Sequence, residues 1–229
     1  MTLRVVSLVP SSTETLLALG GDVVACTKFC EQPALRTVGG TKNPDINTIV
    51  ALGPDLVVLD REENRIEDHD ALVAAGLTVF VSDVRSVDAG IDVVDELAAV
   101  LGVPTLARPE IPMADPSTRA SAFVPIWRRP WMSIGAATYG GSLLRRLGIE
   151  LVTSGSEVDY PTLELSEVAQ AAPDLVLVPS EPYVFSDSHL DELAAELPSA
   201  VIQRIDGQDL FWWGIRTAGA LDRLAVALG

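Results

Sequence analysis

At 229 residues the chain is long enough for one large domain or two small lobes, and either can bury a sizeable core. Its formal charge of −16 excludes a nucleic-acid partner, which wants clustered Lys and Arg, and is read as a solvated acidic surface. Although 48% of its residues are hydrophobic, no apolar run reaches the roughly 18 residues of a membrane span, so no membrane insertion is expected.

The opening "MTLRVVSLVPSSTETLLALGG" sets Arg4 before an apolar run that Pro10, Ser11, Ser12, Thr13 and Glu14 break at once. That is too short for a signal peptide. With Met1 as the natural start a cytoplasmic protein is expected, and a start upstream would make it an exported one. "RVVSLVP" is expected as a buried strand and "SSTETLLALGG" as a helix with a Ser/Thr cap and a glycine stop. A strand "DVVAC" follows, then a short helix "NPDINTIVALG" whose Pro44 suits its first turn. Next come the strand "DLVVLD", the helix "RIEDHDALVAAG" and the strand "TVFVSD". Val87, Ile91, Val94, Leu97 and Leu101 recur at helical spacing in "SVDAGIDVVDELAAVLG", which predicts an amphipathic helix.

Periodicity then stops. "VPTLARPEIPMADPSTRASAF" carries Pro104, Pro109, Pro112 and Pro116 and marks the boundary between lobes. Beyond it the first-half pattern returns. "WMSIGAATYGGSLLRRLGIELV" echoes "RVVSLVPSSTETLLALGGDVV", "LSEVAQAAPDLVLVPSEPYVF" echoes "INTIVALGPDLVVLDREENR", and "HLDELAAELPSAVIQRID" echoes "HDALVAAGLTVFVSD". The spacing is too long for a solenoid, so whole lobes are repeated. The expected fold is α/β: two Rossmann-like lobes, residues 1–103 and 123–229, facing across a cleft and joined by a short linker at 104–122. In such sheets ligands bind beyond the carboxyl ends of the strands.

Segments at those ends therefore supply the candidate residues: "PSSTE", "GGTKNP", "DREENR", "IWRRPW", "GAATYGG", "SEPYVF" and "DLFWWGIR". All four tryptophans (Trp127, Trp131, Trp212, Trp213) fall in two of them, and indoles flanked by arginines are expected to stay partly exposed. Both lysines, Lys28 and Lys42, and Arg61, Arg65, Arg128, Arg129 and Arg216 gather there too. Cations beside aromatics suit a flat, ring-bearing ligand with negative groups, with the helix N-termini after Ser11 and Asn43 as further donors. The competing reading pairs those cations with Glu62, Glu63 and Glu181. No phosphate loop, nucleophile elbow or zinc-protease motif is present, so a binder without chemistry fits better than an enzyme. Cys26 and Cys30 are read as reduced, at least one of them in the core, and His69 and His189 as surface residues. No intrinsic cofactor or metal site is expected.

With these residues in view, the chain resembles the class III periplasmic-binding-protein superfamily, which includes cobalamin- and ferric-siderophore-binding components of ABC importers. "VVSLVPSSTETLLALG", "VGGTKNPDINTIVALGPDLVVLDREENR", "PIWRRPWMSIG", "APDLVLVPSEPYVF" and "DGQDLFWWGIRTAGAL" carry the likeness over most of both lobes. It implies a corrinoid, ferric siderophore or haem-like ligand between the lobes, touched by Ser11, Ser12, Thr41, Lys42, Glu62, Trp127, Tyr139, Glu181, Trp213 and Arg216, with Arg128 beside them. Members that serve importers join their lobes by one long helix and dock on the permease through a Glu on each lobe. Here the connection looks shortened, and the docking positions fall at Asn47 and Ser166, with Asp45, Glu164 and Glu167 close by. An importer component and a chelatase-like enzyme using Glu62, Glu181 or a histidine are the alternatives to a free-standing binder. Oligomeric state is left open.

Overall fold

The computed structural model describes residues 2–111 and 118–229, so the expectations on Pro112 and Pro116 lie outside the described residues. Two compact units emerge. The first comprises the chain up to Val84, Asp88–Pro109 and Trp213–Thr217, and the second Arg85–Val87, Glu110–Trp212 and Ala218–Gly229.

The first unit runs β1 (Arg4–Ser7), α1 (Pro10–Ala18), β2 (Asp22–Cys26), β3 (Arg36–Thr37), β4 (Gly39–Gly40), β5 (Asn43–Pro44), α2 (Ile46–Leu52), β6 (Leu56–Asp60), α3 (Ile66–Ala74), β7 (Val79–Ser82) and α4 (Val87–Leu101). Five strands form a parallel sheet in the order β3-β2-β1-β6-β7. All of β6 is buried, as expected of a strand covered on both faces. Val6, Leu8, Ala25, Val38, Ile49, Val57, Leu59 and Leu72 make one contiguous core around it.

Two helix starts differ from expectation. Pro10 occupies the first turn of α1 behind an extended Val9 with no side-chain cap, so Ser11 and Ser12 lie inside the helix rather than capping it. Proline suits that place because no partner exists there for the N–H it lacks. Pro44 is not in the first turn of α2. It pairs with Gly39 in the β4–β5 hairpin, and Asp45 caps the helix by accepting the Thr48 N–H at 3.0 Å.

The second unit runs β8 (Ala120–Phe123), β9 (Pro125–Trp127), β10 (Trp131–Ser133), α5 (Tyr139–Arg146), β11 (Ile149–Leu151), β12 (Thr162–Leu163), α6 (Leu165–Ala171), β13 (Leu175–Pro179), α7 (Asp187–Glu196), β14 (Val201–Ile205), α8 (Gly207–Phe211) and α9 (Thr217–Leu228). Its parallel sheet has the order β11-β8-β13-β14, and a small antiparallel sheet the order β12-β10-β9. Phe123, Trp131, Leu165, Val168, Val176, Val178, Phe185, Leu193 and Leu197 form the core.

The internal repeat is present, but one pair was matched to the wrong strand. In the first sheet β1 is central, between β2 and β6; in the second that place belongs to β8, between β11 and β13. By sheet register the counterpart of "RVVSLVP" is thus "SAFVPIW" (Ser121–Trp127), whose first two residues fall in the stretch expected as linker, while "WMS" lies in the antiparallel β10. The same device sets both neighbours in place. Asp55, just before β6, accepts the Arg4 N–H at 2.8 Å, and Asp174, just before β13, accepts the Ser121 N–H at 2.7 Å.

Candidate functional site

In the first unit, three strand ends bring candidates together. Ser11 and Ser12 sit in the first turn of α1, both buried, and the Ser12 hydroxyl has no hydrogen-bond partner among the described residues. Thr41 and Lys42 form the tip between β4 and β5. Glu62 follows β6, where its N–H is held by the Asp60 carboxylate at 2.9 Å. The exposed Lys42 ammonium donates to the Glu62 carbonyl, so the hairpin tip and the β6 loop are tied. Trp213 and Arg216 belong to the short segment Trp213–Thr217. There Arg216 meets Glu14 of α1, with Nε 2.9 Å from Oε2, and the Ile215 N–H reaches Thr15 Oγ1 at 3.2 Å. Trp213 is only 4% exposed, so its indole is a buried side chain rather than a partly open one.

In the second unit Trp127 is open, 47% exposed. Its ring meets Tyr183 edge-on at 5.2 Å between centroids, and Tyr183 packs in turn on Phe185 and His189. Trp131 is buried, stacked parallel to Phe185 at 5.9 Å. Arg128 lies over Trp131 and donates to Glu192 of α7 at 2.9 Å. Glu181 accepts the Trp212 indole N–H at 2.7 Å, with Gly207 packed so closely that a side chain there would strike it. Tyr139 is buried at the start of α5.

Four of the arginines expected to line a site have carboxylate partners. Arg61 pairs with Asp83, Arg65 with Asp68, Arg128 with Glu192 and Arg216 with Glu14. The sequence reading missed Glu14, Asn64, Tyr183, Glu192 and Trp212 as partners. Glu14, Asn64, Tyr183 and Trp212 lay inside segments already singled out, whereas nothing in local spacing points to Glu192. Lys28 lies 4.9 Å from the centroid of the half-exposed Phe29 ring.

Cys26 and Cys30 are both free and both buried. The Cys26 thiol and the hydroxyls of Thr13 and Thr27, each 3.2 Å away, converge on the Cys30 sulfur and hold its thiol below the ordinary range, while the same pairing and then burial push Cys26 up. No group of three or more metal-ligating side chains occurs among the described residues. His189 accepts the Ser186 N–H as part of a helix cap, and His69 lies 2.9 Å from Asp70. Acids near the docking positions also cap their own helices: Asp45 on α2, and Glu164 with Glu167 on α6.

Asp60 carries a pH test. It is 3% exposed, and burial pushes its carboxyl above the ordinary range despite bonds from Ser82 Oγ at 2.8 Å and the Glu62 N–H. The folded chain therefore keeps this proton to a higher pH than the unfolded chain. Stability from the neutral form is complete at low pH and is lost as pH rises through the folded value. Urea denaturation between about pH 4 and pH 8 should show the wild type losing ground to Asp60→Asn as pH rises. A difference independent of pH would contradict the shift.

A sequence model of the family described as "Periplasmic binding protein" matches residues 5–203. A vitamin B12-binding protein of Yersinia pestis (strain Pestoides F) is 26% identical over 217 residues, covering 87% of this chain and 76% of its own length. Among solved structures, the periplasmic heme-binding protein RhuT from Roseiflexus sp. RS-1 superposes with a TM-score of 0.80 at 23% identity, covering 99% of this chain and 98% of the other. The periplasmic vitamin B12 binding protein BtuF of Vibrio cholerae gives 0.77 at 18% identity, covering 99% and 96%. These neighbours share the α/β fold. The family and both of these solved neighbours are described as periplasmic. Among the described residues no helix is long and apolar enough to cross a membrane.

Proposed function

This chain belongs to the periplasmic binding protein family, a family of ligand binders rather than enzymes, and we propose that its ligand is a corrinoid. The observation that carries this reading is Trp127, a half-exposed indole held upright against Tyr183 and ready to take a flat ring face. The exposed Lys42, at the end of the first unit's strands, supplies a cation for the phosphate or carboxylate edge of such a ligand. The vitamin B12-binding relative supports the same ligand class. A corrinoid brings most of its metal's coordination with it. That suits a chain whose thiols are buried and whose His189 Nδ1 is used as a cap. Ser11, Ser12, Thr41, Glu62, Arg128, Tyr139, Glu181, Trp213 and Arg216 complete or support the contact surface. The two units act as its lobes, with Ala120–Phe123 a strand of the second and Trp213–Thr217 a part of the first. The setting we propose is outside the cytoplasm, as the binding component of an ABC importer.

A second reading, haem, draws on Tyr183, whose phenol beside Trp127 could serve as an axial ligand. Titration of the purified protein with hydroxocobalamin, a ferric hydroxamate and haemin separates them. Tryptophan fluorescence should be quenched by hydroxocobalamin with a Kd of about 1 µM or tighter. Binding of haemin alone, lost in Tyr183→Phe, would establish the second reading. No spectral or thermal response to any of the three would overturn both.

A further inference from the structure

Asn64 is 8% exposed, and every polar atom of its side chain is engaged. Its Oδ1 accepts the Asp60 N–H at 2.8 Å, and its Nδ2 donates to the Thr41 carbonyl at 2.9 Å and the Leu8 carbonyl at 3.3 Å. The backbone closes the same turn, with the Asn64 N–H on the Asp60 carbonyl at 3.0 Å. The orientation of the amide is fixed by chemistry: turned over, its oxygen would face two carbonyls and its NH2 would face an N–H.

Those three partners stand at three different strand ends. Leu8 leads into α1 with Ser11 and Ser12, Thr41 heads the hairpin tip beside Lys42, and Asp60 closes β6 and holds Glu62. Sequence distance makes the convergence specific, since Asn64 reaches 56 residues back to Leu8 and 23 to Thr41. We propose that Asn64 is the positioning residue of the first unit's binding surface, setting the α1, hairpin and β6 loops in one fixed arrangement without touching ligand itself. The proposal rests on the reading of those loops as ligand-binding. No other amino acid of similar size offers one acceptor and two donors in this geometry: Asp keeps the acceptor but turns a carboxylate on two carbonyls, and Leu leaves all three groups unpaired.

The test uses the full chain and three variants: Asn64→Asp, the milder Asn64→Ser, and Leu72→Ala, a core truncation that lowers stability without entering the loops. In Asn64→Asp, amide exchange at residues 39–44 should quicken about tenfold while β6 stays protected, and affinity for hydroxocobalamin should fall about tenfold. Leu72→Ala should leave that affinity within about twofold of the wild type. In a Lys42→Met background the Asn64→Asp loss should shrink below about threefold, because the tip it positions no longer contributes its ammonium. If Asn64→Asp fails to fold, Asn64→Ser carries the same measurements. Unchanged exchange at 39–44, unchanged affinity, or equal losses in Leu72→Ala would each overturn the proposal. Should the wild type bind no hydroxocobalamin, the corrinoid reading fails and the exchange measurement alone decides the role of Asn64.

Discussion

Gly214→Ala is expected to lower the melting temperature by about 6–12 °C, the equivalent of about 3 kcal/mol in a chain of this size. Gly214 has φ +83°, which costs a residue with a Cβ about 1–2 kcal/mol. A Cβ there would also lie 2.2 Å from Thr15 Oγ1, and such overpacking adds about 1–3 kcal/mol. Thr15 cannot step aside cheaply. Its hydroxyl donates to the Ser11 carbonyl at 2.9 Å and accepts the Ile215 N–H at 3.2 Å, so moving it breaks both bonds. The double variant Thr15→Ala/Gly214→Ala separates the two costs. It should be less destabilised than the sum of the single variants, because the clash is gone and only the backbone cost remains. Strict additivity would place the cause elsewhere, and a melting temperature within about 2 °C of the wild type would remove the argument altogether.

The second large effect concerns binding. Trp127→Ala should weaken hydroxocobalamin binding by about thirtyfold or more, since truncating an aromatic anchor costs about 2 kcal/mol or above and each 1.4 kcal/mol is tenfold. Stability should change little, because the indole is already 47% exposed. Trp131→Ala provides the contrast. That ring is 8% exposed and stacked on Phe185, so its loss should cost about 3–5 kcal/mol of stability. Trp127→Phe, which keeps a ring face, should retain most of the affinity. Wild-type affinity in Trp127→Ala would remove the central support for the corrinoid reading.

What the sequence could reveal follows from what each element depends on. Strands β1, β2, β6 and β13 are covered on both faces and announce themselves as Val/Leu runs. Helix α4 shows its period because one side of it is buried. By contrast, β8 is Ala-Ser-Ala-Phe, small residues just past a proline-rich stretch, and only its neighbours β11 and β13 make it a strand. The hairpin pair Gly39–Gly40 and Asn43–Pro44 reads as a loop because glycine and proline disfavour strands, and tertiary pairing overrides that preference. Candidate segments were legible as polar stretches at strand ends. Their internal partners were not, since Arg216 finds Glu14 from 202 residues away and Arg128 finds Glu192 from 64. Trp213 looked half-open beside its arginine, yet that arginine turns to α1 and leaves the indole buried.

The Pro-Asp pair that precedes β6 and β13 has a use beyond stability. Asp55 and Asp174 each grip the N–H of the adjoining central strand, so each half carries a built-in ruler at the same point. Strand side chains alternate between faces, and a slip of one residue would turn a whole strand inside out. Chimeras that exchange halves between distant relatives can therefore be aligned on that aspartate alone, and a single residue inserted just after it should scramble one half while sparing the other.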